Sequence, residues 1–261
     1  KGWELAVDFR HTFKNGLHFG VTASLADDRT EVTKWTNNTA IPTYGATGWW
    51  DTQYYKEGMV LGDIWGLQFD RFLTENDFNA DGTLKANIPD QTSVFPAGYK
   101  FAPGDVLYKN LDGDNKITKG TQTTEPGDLT VIGNALPRLQ FGLNLDAAWK
   151  GFDINLFFQG VGNRKLWAAG NQVLPGFTTG EPFYKGAEDY WTPENPTNIP
   201  AFSGAEYVNS SRWVEKGDYL RLKNITLGYR IPHKILSKIG CSSARIYVSA
   251  NNLWTITNYS G

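Results

Sequence analysis

The sequence is poor in the residues on which most soluble enzymes build their chemistry. It has one cysteine, Cys241, which excludes an intrachain disulfide framework. A lone cysteine is most often a small buried hydrophobe, and Cys241 is expected to be one. The three histidines, His11, His18 and His233, fall at no metal-binding spacing such as HExxH. No apolar run reaches the roughly 18 residues that a membrane-spanning helix needs. The opening residues, Lys1-Gly2-Trp3-Glu4, match neither a signal peptide nor a lipidation motif. Neither sign of charge is in excess: Lys+Arg is 25, Asp+Glu is 27, and the formal net charge is -2. Without a basic excess or stripe, no nucleic-acid partner is expected. GxSxG, P-loop and Cys/His pairings are missing, and Gly160-x-Gly162 lacks the third glycine and helix of a dinucleotide site. No enzymatic activity is expected, and no cofactor is required.

What is abundant is aromatic and glycine content: 14% Phe, Trp and Tyr, with 10 Trp and 28 Gly, against only 40% hydrophobic residues overall. That balance suits a β protein with many turns and aromatic belts.

Period-two alternation is the dominant local pattern. Trp3, Leu5, Val7, Phe9 and Phe13 alternate with Glu4, Ala6, Asp8, Arg10 and Thr12, so one face is apolar and the other polar. Lys14-Asn15-Gly16 then reads as a hairpin turn, because Asn and Gly tolerate positive φ. Leu139, Phe141, Leu143, Leu145, Ala147 and Trp149 alternate with Gln140, Gly142, Asn144, Asp146 and Ala148. After Lys150-Gly151, Phe152, Ile154, Leu156 and Phe158 continue the pattern, with Phe157 breaking the polar face. In the last pair the apolar phase slips near Lys223-Asn224, which predicts a bulge. Pro232 ends that strand. Strands are expected at about 2–13, 17–27, 138–149, 152–160, 219–231 and 244–254.

Two features favour a membrane barrel. The strands are long, at about 11 residues for Trp3 to Phe13 against the usual five to six, and a tilted strand needs about 9–11 residues to cross a bilayer. Short turns at 14–16, 150–151 and 232–243 also alternate with long segments at about 28–137 and 160–218. Lipid cannot satisfy backbone N–H and C=O groups, so a closed barrel must pair them all and loops must lie outside the hydrocarbon. The expected fold is therefore all-β, an antiparallel up-and-down transmembrane β-barrel segment with long extracellular loops. Trp149, Phe152 and Phe13 fall near the turns, where an aromatic girdle belongs. The alternative is an antiparallel sandwich with one wet face, its apolar face packed on a second sheet.

The long segments carry the candidate site residues. Trp49, Trp50, Tyr54, Trp65, Trp167 and Trp191 could stack on sugar rings or other amphipathic solutes; the competing reading is that they pack the loops. Residues 62–72, GDIWGLQFDRF, could add a strand or an ordered loop. Asn110, Asp112, Asp114, Lys116 and Thr118 match much of a calcium loop, whose alternate side-chain oxygens and one carbonyl converge on a hard cation. Asn115 stands where that motif has Gly, and Thr121 where it has a bidentate Glu. A structural calcium and a turn held by Asx hydrogen bonds are both open readings.

Several long segments resemble the C-terminal part of the SusC/RagA family of TonB-dependent transporters from Bacteroidetes. They are KGWELAVDF at the start, DVLYKNLDGDNKIT at 105–118, VIGNALPRLQFGLNLDAAWKGFDINLFFQGVGN at 131–163, YWTPENPTNIP at 190–200, SRWVEKGDYLRLKNITLGYRIP at 211–232 and ARIYVSANNLWTITNYSG at 244–261. The resemblance implies a plug inside a barrel of roughly 22 strands. It also implies a SusD-like surface lipoprotein, a TonB complex acting on the plug, residence in the outer membrane, and an oligosaccharide or peptide cargo. The plug is expected to lie outside this chain. About six to eight strands cannot close such a barrel and would leave unpaired edges in lipid. The chain is thus expected to be one part of a larger transporter, with a carbohydrate-binding surface protein as the alternative.

Overall fold

A computed structural model describes residues 1–35, 57–120, 127–167, 188–201 and 210–260. Among them twelve strands occur in chain order: β1 (Gly2–Thr12), β2 (His18–Asp28), β3 (Asp63–Leu67), β4 (Phe69–Phe72), β5 (Val106–Tyr108), β6 (Leu129–Asn134), β7 (Leu139–Trp149), β8 (Phe152–Gly162), β9 (Lys165–Trp167), β10 (Val214–Lys216), β11 (Tyr219–Arg230) and β12 (Arg245–Thr257). A single turn of helix, α1 (His233–Leu236), lies between the last two. The described residues form two compact units.

The first unit is a six-stranded sheet in the order β1-β2-β7-β8-β11-β12, with every neighbouring pair antiparallel. Its register explains the alternation. Phe9, Val21, Leu145, Leu156, Ile225 and Ala250 pair across all six strands in one apolar row. The next row is Arg10, Gly20, Asp146, Asn155, Thr226 and Ser249. Because successive side chains point to opposite faces, a one-residue step carries the sheet from apolar to polar. The expected bulge is present: both pairings of β11 shift register between Leu222 and Asn224.

The apolar face is exposed. Trp3, Leu5, Val7, Phe9, Phe152, Leu227, Ile246 and Val248 all remain more than half or nearly half accessible. A sandwich would bury these side chains, so the wet-faced sandwich does not describe this sheet. Every short connection lies at one end. Phe13 and Leu17 close the first turn through Phe13 N–H to Leu17 O at 2.8 Å. Lys150 (φ 49) and Gly151 (φ 91) form a two-residue turn of the type whose twist matches flanking strands. The β11–β12 connection carries α1 and a left-handed Gly240 (φ 71). Cys241, next to that glycine, is exposed rather than buried. Its position in a surface turn overrides the residue's usual preference. Both long connections leave from the other end of the sheet, after Asp28 and Gly162.

The second unit, built from the long segments, holds nearly all the buried apolar core. Leu67, Val94, Phe95, Val106, Tyr108, Ile117 and Leu129 form one cluster, and Leu73, Ile88 and Leu107 a second. Residues 62–72 form two strands, with β3 paired to β6 and β4 to β5. Buried Gln91 acts as a surrogate backbone: its Nε2 donates to Val106 O at 2.7 Å and its Oε1 accepts from Tyr108 N at 3.3 Å. An unsatisfied amide there would cost about 1–3 kcal/mol.

Candidate functional site

The polar face of the six-stranded sheet is a connected surface of short side chains. Thr22 Oγ1 donates to Asp8 at 2.6 Å, Asn155 Nδ2 to Asn144 at 3.0 Å, and Asn224 Nδ2 to Asn251 at 2.8 Å. Arg221 Nε donates to Thr255 Oγ1 at 2.9 Å. Nearer the short-turn end, Arg245 and Asp153 form a two-pronged ion pair lying directly over Gly228. Phe157 sits among these polar groups, paired with Asn144 on one side and Asn224 on the other. Such a face suits a wetted interior, and the opposite face suits hydrocarbon.

The second unit places the sequence candidates as follows. Trp65 is half-buried against the main apolar cluster. Trp167 is half-buried and stacks on Trp213, with ring centroids 6.3 Å apart and planes at 19°. Trp191 is buried, its ring closing on Gly104 (φ +91), where an added Cβ would lie 2.5 Å from Trp191 Cε3. Each of the three indoles thus packs against neighbouring side chains or backbone of the unit. Trp49, Trp50 and Tyr54 lie outside the described residues.

The calcium-like loop is held by its own side chains. Asn110 Oδ1 accepts from Gly113 N at 3.0 Å, Asp112 Oδ1 from Asp114 N at 3.2 Å, and Asp114 Oδ1 from Lys116 N at 2.7 Å. Asn115 takes the left-handed conformation (φ 63) that the motif assigns to glycine. Thr118 N donates to Asp128, whose other oxygen accepts from Leu111 N at 2.5 Å. Burial pushes the Asp128 carboxyl above the usual carboxylate range; those two N–H donors oppose the rise, and the charges of Asp112 and Asp114 add to it. Among the described residues no group of three or more His, Cys, Asp or Glu is placed to hold a metal ion.

Two further carboxylates are buried in the unit with their hydrogen-bond donors. Asp77 accepts from Arg71 at 2.6 and 2.8 Å and from Thr74 N at 2.7 Å. The Arg71 hydrogen bonds foremost hold its pKa down to about 2. Asp105, fully buried, accepts from Tyr99 Oη and Ala102 N, and burial raises its pKa.

A cleft of about 750 Å³ was not legible in the sequence. Leu84, Ile88 and Phe101 line it, with Thr83, Lys85 and Lys100 among its polar walls. These residues carry no motif, and it takes the loop's own folding to bring them together.

No family model matches the chain. It is similar to a TonB-dependent receptor of Formosa agariphila, 28% identical over 267 residues that take in 100% of this chain and 24% of the relative. A second TonB-dependent receptor of that organism is 32% identical over 158 residues, 58% of this chain and 15% of the relative. Among solved structures, the RagAB peptide transporter matches with a TM-score of 0.69 at 18% identity, covering 100% of this chain and 26% of that one. The RagAB peptide importer in its closed-closed state matches with a TM-score of 0.66 at 18% identity. The chain spans about a quarter of the length of the relatives it matches from end to end. These relatives are receptors and transporters, not enzymes. By sequence the chain is similar along its whole length to TonB-dependent receptors, and by fold it is similar to about a quarter of the RagAB transporter chain.

Proposed function

We propose that this chain forms part of the wall and outer loops of an outer-membrane TonB-dependent importer. The observation that carries the reading is the register of the six-stranded sheet, in which an apolar row spanning every strand alternates with a polar row, and the apolar face is left exposed. The apolar face meets the bilayer and the polar face lines the lumen around the plug. The short turns lie on the periplasmic side and the long segments outside the cell.

The parent works with a SusD-like surface lipoprotein over its loops, and with a TonB complex that acts on the plug. Its cargo is an oligosaccharide or a peptide. Sugar recognition draws support from the aromatic loops. Peptide recognition draws support from the cleft, where Leu84, Ile88 and Phe101 stand beside both cations (Lys85, Lys100) and carboxylates (Asp81, Asp90), a mixed lining that suits a chain with apolar and charged side chains better than a neutral glycan. The loop at 110–118 is read as an Asx-stabilised turn, with calcium the competing proposal.

The test is uptake by cells making the parent protein, with wild type against Asn144→Arg on the lumen face and Leu143→Arg on the outer face. The reading expects Leu143→Arg to weaken the inserted protein far more than Asn144→Arg, which leaves a folded barrel. If the parent is recovered folded from the soluble fraction without detergent, the reading fails. Copurification of a surface lipoprotein, and the glycan or peptide it carries, identifies the cargo.

A further inference from the structure

The apolar face of the sheet is not flat. Towards the short-turn end, across β7, β8, β11 and β12, it opens into a hollow of about 520 Å³. Ala147, Ile154 and Leu227 lie along one cross-strand row of its floor. Along β7, Ala147 stands between Leu145 and Trp149 on this face and brings only a methyl group to the floor. The volume falls within the roughly 300–1,000 Å³ typical of small-molecule sites.

The aromatic walls of the hollow are braced. Phe152 and Tyr229 lie with ring centroids 4.5 Å apart. Trp149 Nε1 donates to Asn15 O at 3.2 Å, and Lys150 Nζ sits 4.3 Å over the Trp149 ring. A second hollow of about 380 Å³ adjoins at the sheet end and shares Trp149 and Phe152 with the first. Its charged groups are Lys150, Arg230 and Arg245 against a single carboxylate, Asp153, together with His18. Arg245 is engaged by Asp153, and His18 lies 3.7 Å from Asp146. By the register His18, Asp153, Arg230 and Arg245 stand on the polar face, so of these groups Lys150, over the Trp149 ring, is the cation at the rim of the apolar hollow.

We infer that this hollow seats one glycerophospholipid of the periplasmic leaflet, an acyl chain lying over Ala147 and the phosphate meeting Lys150 at the aromatic rim. The inference rests on reading the sheet as barrel wall with its short turns on the periplasmic side. An ordinary annular lipid meets a smooth apolar wall and exchanges freely. Here a recess fits the chain and a cation fits the headgroup, so apolar burial and charge select the same molecule.

The experiment uses the intact transporter containing this chain, purified in detergent and stripped of lipid in steps, with retained lipid counted and identified by native mass spectrometry. Wild type is expected to keep one phospholipid after the annular lipids have gone. Ala147→Phe, which fills the hollow, and Lys150→Glu, which reverses the charge at its mouth, are expected to hold it about tenfold less tightly. Leu143→Phe, which places the same aromatic ring on the same face away from the hollow, is expected to keep it. Retention of the same lipid count by all four proteins overturns the inference, as does retention of none by wild type or of lipopolysaccharide alone. A heat-modifiable, detergent-dependent barrel in each case shows that the wall reading stands when the lipid seat fails; loss of that behaviour in wild type removes the wall reading itself.

Discussion

Arg245 grips Asp153 across the backbone of Gly228, with Nε donating to Oδ1 at 3.0 Å and Nη2 to Oδ2 at 2.5 Å. The three residues come from three adjacent strands, β12, β8 and β11, and a Cβ on residue 228 would fall 2.4 Å from Arg245 Nη2. Gly228→Leu should therefore push the arginine aside and destabilise the barrel by about 1–3 kcal/mol, the usual scale of overpacking. Gly228→Ala should cost less, because the clashing atom ends a flexible side chain. Urea unfolding of the parent in lipid vesicles reads both, and equal stability of all three proteins would refute the role of this glycine.

Leu143 and Asn144 are adjacent in β7 and lie on opposite faces. Leu143→Arg should cost about 2–4 kcal/mol if it lies near the bilayer midplane. Asn144→Arg should cost far less, since water reaches that face. The same vesicle titration separates them, and equal costs would mean that the two faces see the same solvent.

Asp77 makes the second unit sensitive to acid. Its pKa is depressed from 3.8 to about 2 in the folded chain. A depressed carboxylate adds stability above the unfolded pKa, and that stability is lost as pH falls through the folded one. The contribution, on the order of 2 kcal/mol, should disappear between about pH 4 and pH 2. Arg71→Met should flatten the loss over this window, measured by limited proteolysis of the loop unit across pH.

Trp191 tests whether an aromatic residue of the long segments is structural. It is buried against Gly104 and Ala201. Trp191→Ala should destabilise the loop unit by about 3–5 kcal/mol. Trp191→Phe should recover much of that and leave cargo affinity unchanged. Weakened cargo binding by a fully stable Trp191→Phe protein would return this residue to the binding site.

The loop at 110–118 should keep its conformation without an ion, because each Asx oxygen described above already accepts a backbone N–H. Chelator should leave the thermal midpoint of the parent unchanged. A saturable rise in the midpoint with added calcium, lost in Asp114→Ala, would establish a bound ion.

The wall was legible in the sequence and the loop unit was not. Alternation reports which side of a strand is wet, so Trp3 to Phe9, Leu139 to Trp149 and Phe152 to Phe158 declared both their strands and their faces. The slip near Lys223-Asn224 declared its bulge for the same reason. In the loop unit the burial of Leu67, Tyr108, Ile117 and Leu129 follows no period, since short strands, 3-10 turns and buried amides each set their own direction. Trp191 illustrates the limit: its composition suits either a sugar platform or a core, and only Gly104, distant in sequence and folded against it, decides for the core.

The sequence alone determined the strands, their two faces and the end at which they turn, because period-two polarity and positive-φ turn residues are local properties of the chain. Tertiary structure decided which strands are neighbours, that the apolar face stays exposed, and that the long segments fold around a core of their own. Those outcomes depend on contacts between residues far apart in the chain, and local chemistry does not specify them.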